Sequence, residues 1–297
     1  MSRDSLKSGR LIGSGIFLKQ SKSVMDAVIS NFRSVRVLGL HDLGMNEVPG
    51  SVSMLKHLSY IDLSENNFVT LPKSMSKMLN LQTLKLSYCF DLCELPKNIH
   101  KMVNIRHLDL DGCFNLSKMP CGIGKLTSLR TLSQFVIGQE TSMSSKANVV
   151  LTELNGLVKL GGILRLRNLG CIECLCPKID DVVLKNKEYL QSLRLEWTEE
   201  AVGDEYDEIL LESLQQHKNL KLEALYIVDV RNLFLLPEGL QNLSLLDHLE
   251  INGCPNLLSI PIEGMQALTM LHFLHVHDCG LTSLSPVIKH LSMLLKH

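Results

Sequence analysis

Aromatic residues are scarce, at 5% of 297 positions with a single tryptophan. A core built around large rings is therefore excluded, and the abundant leucine points to a repetitive, layer-stacked one. Charge of either sign in excess is also missing: 30 Lys and Arg face 31 Asp and Glu, for a formal charge of −1. Nucleic-acid and membrane-surface binders carry a basic excess, so neither partner is expected. No run of about 18 apolar residues occurs, which removes a bilayer-spanning helix. The opening stretch, MSRDSLKSGRLIGSGIFLKQ, lacks the apolar block and cleavage site of a secretory signal. Nine cysteines, an odd number without paired spacing, fit a reducing compartment better than a disulfide framework. The sequons at Asn115 and Asn242 would matter only in a secreted chain. These absences describe a folded cytoplasmic protein, with 45% hydrophobic residues to build a core.

What is present is a period. A Leu-x-Leu centre starts at Leu38, Ile61, Leu84, Leu108, Leu132, Leu164, Leu193, Leu225, Leu249 and Leu274, with successive spacings of 23, 23, 24, 24, 32, 29, 32, 24 and 25. A period near 24 built on L-x-x-L-x-L-x-x-(N/C)-x-L is the leucine-rich repeat. The first four and last two copies match it well; those at Leu132 and Leu164 are degenerate. In LQTLKLSYC, strand alternation turns Leu81, Leu84 and Leu86 inward and Lys85 and Ser87 outward. Cys89 then occupies a ladder position, where a small group must bond neighbouring backbone, and Asn66, Cys113, Cys254 and Cys279 fill equivalent places. Leu95-Pro96 ends each such coil, because proline cannot donate to a strand ladder. The step recurs at Val48-Pro49, Leu71-Pro72, Met119-Pro120, Leu236-Pro237 and Ile260-Pro261.

The expected fold class is an α/β solenoid: a leucine-rich repeat horseshoe with a concave parallel sheet and short helices or turns on the convex side. Residues 1–34 form a flanking segment with a helix over SVMDAVISNF, and residues 35–297 hold about ten repeats. QETSMSSKANVV (139–150) reads as an inserted polar loop. DDVVLKNKEYLQSL and DEYDEILLESLQQH read as helices. Leu268, Leu271 and Leu274 recur as Leu291, Leu294 and His297, with no polar cap, so the chain reads as part of something longer.

Some strings are more specific than a generic repeat. SVRVLGLHDLGMNEVPGSVSMLKHLSYIDLSENNFVTLPKSM and NIRHLDLDGCFNLSKMPCGIGKLTSLRTLSQFVIG resemble the repeat region of plant intracellular disease-resistance proteins of the coiled-coil, nucleotide-binding, leucine-rich class. KNKEYLQSLRLEW, LLESLQQHKNLKLEALYI and the run Phe135-Val136-Ile137-Gly138 are similar to that family too. The resemblance covers about residues 31–297 and implies a recognition and autoinhibition segment in immune signalling. The family's nucleotide-binding and signalling domains are absent from this sequence, so its nucleotide residues carry over to nothing. GIGKLTS is no substitute: Lys125 precedes Leu126 rather than Ser or Thr, and the first glycine of a phosphate loop is missing.

Other chemistry is weaker still. HFLHVHDC puts His275 and His277 on one strand face, with His272 and Cys279 near, but no second ligand cluster stands close in sequence. CIECLCPK offers Cys171, Cys174 and Cys176 without a fourth ligand at matching spacing. No cysteine has a neighbouring histidine base. Neither a metal, a cofactor nor catalysis is expected.

The expected function is protein binding, with a pathogen protein, a guarded host protein or the receptor's other domains as partner. A substrate adaptor of a ubiquitin ligase is the alternative, but it needs a helical docking box for which 34 residues are too few. An extracellular receptor domain would show a signal peptide, capping cysteine pairs and a Gly-x-Ile-Pro step. Solvent-facing strand positions nominate the binding surface. Beyond Asp62 and Lys85 these are Asp109, Asp111, Arg165, Arg167, Arg194, Glu196, Tyr226, Glu250, His275 and His277, converging on one concave face. Arg165, Arg167, Arg194 and Tyr226 stand at its centre, since Arg and Tyr are enriched at energetic hot spots. Reversing Arg165 and Arg194 to Glu is expected to leave stability unchanged.

Overall fold

The computed structural model describes residues 10–12, 26, 29, 31–138, 152–170, 184, 187–198, 211, 220–236, 240, 242–260 and 265–281. The chain divides into two compact units, Met1–Val136 and Ile137–His297. The division falls between the two degenerate copies of the repeat.

In the first unit, six short strands pair in parallel and in chain order: β1 (Arg10–Ile12), β2 (Val37–Gly39), β3 (Tyr60–Asp62), β4 (Thr83–Lys85), β5 (His107–Asp109) and β6 (Thr131–Leu132). The register aligns Leu38, Ile61, Leu84, Leu108 and Leu132 in one row. Every residue of that row is buried. A second buried row, Leu63, Leu86 and Leu110, lies two residues on. No repeat covers its own leucines; the neighbouring coil does, at roughly 1.5–3 kcal/mol for each side chain taken fully out of water. Strand β1 lies in a segment whose sequence shows no pattern, and it extends the sheet past the first Leu-x-Leu copy. A buried strand, β7 (Gln134–Val136), ends the unit.

Proline does more than end a strand. Thr70, Glu94 and Lys118, each two residues before a proline, pair in a second, one-residue parallel ladder. The proline then supplies the carbonyl that opens the return turn, as Pro49 accepts from Val52 N at 3.1 Å and Pro96 from Ile99 N at 2.9 Å. The return turns are 3-10 helices at Gly50–Met54, Lys73–Lys77, Ile99–Lys101 and Ile123–Lys125. Pro49 and Pro72 sit at φ −66° and −65°, the angle the ring imposes. GIGKLTS is one of these turns, with Ile123 and Leu126 in the core. Gly122 serves the turn: it stands at φ +84°, and a Cβ there would lie 3.3 Å from His100 Nδ1.

The ladder position is built by hydrogen bonds to the preceding coil. Asn66 Nδ2 donates to Leu40 O at 2.8 Å, Cys89 Sγ to Leu63 O at 3.2 Å and Cys113 Sγ to Leu86 O at 3.0 Å. In each case the acceptor is the second residue of the preceding Leu-x-Leu pair. Before every rung stands a residue at positive φ: Glu65, Tyr88 and Gly112 in this unit. This left-handed step turns the next side chain inward. At Gly112 it also demands a missing side chain, since a Cβ would meet the Tyr88 ring at 2.5 Å.

In the second unit the strands lengthen: β8 (Gly161–Leu169), β9 (Tyr189–Trp197), β10 (Ala224–Val228), β11 (His248–Asn252) and β12 (Phe273–His277). They pair in parallel and in chain order, aligning Leu164, Leu193, Leu225, Leu249 and Leu274. Longer pairing brings more outward side chains into register, and this is where the charged face forms. Cys254 is fully buried, whereas Cys279 is partly open and donates to His277 O at 3.0 Å. One expectation fails here. DDVVLKNKEYLQSL is not a helix to its end, because β9 begins at Tyr189 with backbone pairing to β8. The β-branched and aromatic content is low, but tertiary pairing overrides the local pattern. The expected 139–150 loop and the Cys171–Cys176 cluster lie outside the described residues. In the two remaining helical expectations only a few residues are described: Asp26, Ile29 and Asn31 are helical in the first, whose last residue, Phe32, is not, and Leu211 is helical in the second.

Candidate functional site

Alternation along β8 to β12 puts every second side chain on the open face of the second unit's sheet. Parallel register then stacks Arg165 beside Arg194, Arg194 beside Tyr226, Tyr226 beside Glu250, and Glu250 beside His275. Residues scattered over more than a hundred positions become neighbours through that register.

Glu196 is the centre of the basic group. Its Oε1 lies 2.6 Å from Arg165 Nη2 and 2.6 Å from Arg194 Nε, and its Oε2 lies 3.7 Å from Arg167 Nε. The Glu196 side chain is only 13% exposed. Burial alone would raise its pKa, but hydrogen bonds and charge from Arg165 and Arg194 outweigh this and hold it below the usual carboxylate range. Arg194 reaches further: its Nη1 is 3.7 Å from Glu250 Oε1, and its guanidinium carbon stands 5.3 Å from the centre of the Tyr226 ring. A cavity of about 480 Å³ opens beside this group, lined by the three arginines, Glu196, Asn168, Trp197, Thr198, Val228 and Asp229. Three guanidiniums against two carboxylates leave it basic.

These contacts correct the expectation that Arg165 and Arg194 can be reversed without affecting stability. Glutamates in their place would crowd like charges around a carboxylate that is largely buried. The arginines serve the fold as well as the face.

Beyond Glu250 the face becomes aromatic and imidazole-rich. His248 packs at ring-centroid distances of 5.2 Å from Tyr226, 5.8 Å from Phe273 and 5.2 Å from His275. The sequence reading missed His248, although it stands two positions before Glu250 and so on the same face of β11. The signal was the alternation itself. His277 lies opposite Asn252, one strand step past this cluster.

Asp109 and Asp111 belong to the first unit and form a separate local group. Ser87 Oγ donates to Asp109 Oδ2 at 2.7 Å, Asp111 N to Asp109 Oδ1 at 3.2 Å, and Tyr88 Oη to Asp111 Oδ2 at 3.4 Å. In register, Asp62, Lys85 and Asp109 alternate in sign across β3, β4 and β5. Two buried polar side chains were not anticipated. Gln134 Nε2 donates to Cys113 O at 3.1 Å, and Lys187 Nζ to Leu154 O at 2.9 Å. Neither position announces itself, since both need a carbonyl supplied from over 20 residues away.

Among the described residues, no helix is long and apolar enough to cross a membrane. Residues 13–254 match the family model of a leucine-rich repeat region. Over 186 residues the chain is 45% identical to a protein of Arabidopsis thaliana provisionally named a disease resistance protein. That match covers 63% of this chain and 12% of the relative's length. Among solved structures, a TDR receptor is similar with a TM-score of 0.51 at 16% identity, over 92% of this chain and 49% of that one. A leucine-rich repeat protein of Leptospira interrogans aligns with a TM-score of 0.43 at 17% identity, over 99% and 96% of the two chains.

Proposed function

The chain belongs to the leucine-rich repeat family, and we propose that it is the non-catalytic recognition segment of a plant intracellular immune receptor, binding a protein through its open strand face. The observation that carries this reading is the cluster of Arg165, Arg167, Arg194 and Tyr226 beside a basic cavity on one sheet. Guanidiniums held by a shared carboxylate are pre-organised, so a partner loses little side-chain entropy on meeting them. Arg and Tyr are the types that dominate binding energy. The partner that fits this part of the face presents acidic side chains. It is a pathogen protein, a guarded host protein or another part of the same receptor. Asp109 and Asp111 offer an acidic surface in the first unit, and Glu250, His275 and His277 a mixed one in the second. Glu196 is held ionised by its arginines, the opposite of what a general acid requires. The 45% identity to a protein named for disease resistance supports the immune reading. Free thiols at the buried rungs, such as Cys89 and Cys113, suit a reducing cytoplasm.

The test is binding from plant extract, followed by direct titration of the protein captured. Tyr226→Ala combined with Arg167→Gln is expected to weaken binding at least tenfold with the fold retained. Reversal of Lys97 and Lys101 on the return side is expected to change nothing. Loss of binding from the return-side pair alone would place the interface there and overturn the proposal.

A further inference from the structure

His248, Glu250 and His275 do not form a continuous motif: two stand on β11 and the third on β12. Parallel pairing places Glu250 directly opposite His275, while alternation keeps His248 on the same face. One donor atom from each residue lies within 4.8 Å of the other two. His248 Nε2 is buried without a hydrogen-bond partner, and the nearest carboxylate oxygen, Glu250 Oε2, stands 3.9 Å away. That distance exceeds hydrogen-bond reach. Tetrahedral zinc separates its ligand atoms by roughly 3.3–3.6 Å, so small side-chain rotations close the gap around an ion. A buried imidazole nitrogen left unsatisfied costs stability, and an ion at this point removes that cost.

We propose that His248, Glu250 and His275 form a binding site for a divalent transition-metal ion of the zinc type. Two imidazole nitrogens and one carboxylate oxygen are the donor set that suits Zn²⁺ and Co²⁺ over Ca²⁺ or Mg²⁺. The surroundings hold the ligands in place. Tyr226 and Phe273 pack on the His248 ring, and the second Glu250 oxygen faces Arg194 at 3.7 Å. Outer partners of this kind orient a metal's ligands. Three protein donors leave a fourth position for water or for a donor from a bound molecule. The site differs from the sequence-level candidate around His272, His275, His277 and Cys279, with which it shares only His275.

Titration of the whole chain with Co²⁺ and Zn²⁺ tests the site. One Co²⁺ per chain is expected, with visible ligand-field bands and no thiolate charge-transfer band. His248→Ala, Glu250→Gln and His275→Gln are each expected to weaken Zn²⁺ binding by at least the roughly tenfold to hundredfold that loss of an outer partner alone costs. His272→Ala and His277→Ala are expected to bind as the parent does. His275 is exposed, so its variant stays informative if removal of His248 unfolds the chain. Absence of stoichiometric binding overturns the proposal. So does a thiolate band that persists in the His275 variant, because the ion would then sit on cysteine.

Discussion

Glu196 on β9 accepts from Arg165 on β8 at 2.6 Å, although the two residues are 31 positions apart and only the β8–β9 register joins them. The pair is mostly shielded from solvent and shared with Arg194, so it is worth more than an isolated surface bridge and less than its contact distance suggests.

Removing the shared carboxylate leaves three guanidiniums facing one another. Glu196→Gln is expected to lower stability by about 1–3 kcal/mol at neutral pH. Because the folded-state pKa lies below the ordinary 4.5, the contribution is complete above that value and disappears as pH falls through the folded one. The stability gap between parent and variant, from denaturant unfolding, is expected to narrow below pH 4.5. A gap independent of pH would show that the arginines do not act through charge.

Asn66 carries more of its rung than any cysteine does. Its Oδ1 accepts from Leu43 N at 3.2 Å and Met45 N at 2.9 Å, while its Nδ2 donates to Leu40, Leu63 and Ser64 carbonyls. Asn66→Ala is expected to cost about 2–4 kcal/mol by orphaning these buried groups. Asn66→Cys, copying the next rungs, restores one donor but no good acceptor. Amide exchange at Leu43 and Met45 is expected to quicken in both variants. Unchanged exchange with lowered stability would assign the loss to packing instead.

Lys187 is 1% exposed, and burial pushes its pKa from 10.5 down to about 8. Between those values the unfolded chain binds the extra proton, so this residue makes stability rise with pH from 8 to 10.5. The buried thiols oppose it: burial pushes Cys89 up to about 11 and Cys113 up to about 12, and their contribution is lost as pH rises through those values. Comparison with Lys187→Met cancels the thiols. The variant is expected to match or exceed the parent at pH 7 and fall below it by pH 10.5, a swing on the order of 3 kcal/mol. No swing would mean that water reaches the ammonium.

The leucine rows, the rungs and the proline steps were all legible in the sequence, because each depends on contacts that repeat at a fixed local offset. Leu84, Cys89 and Pro96 play the roles their spacing assigns. The left-handed step before each rung was not legible: Glu65, Tyr88 and Gly112 share a backbone angle but no chemistry.

For the face, alternation alone identified Arg165, Arg194, Glu196, Tyr226, Glu250 and His275 as outward. Which of them meet was decided by strand register across 24 to 32 residues, including irregular shifts between β8 and β9. That register put Glu196 among three arginines and His248 beside Glu250 and His275. It also buried Lys187 against the Leu154 carbonyl. Periodicity determines which way a side chain points, since that follows from its own backbone. Its neighbours, and hence its charge state and chemistry, come from other coils, and only the folded stack brings those together.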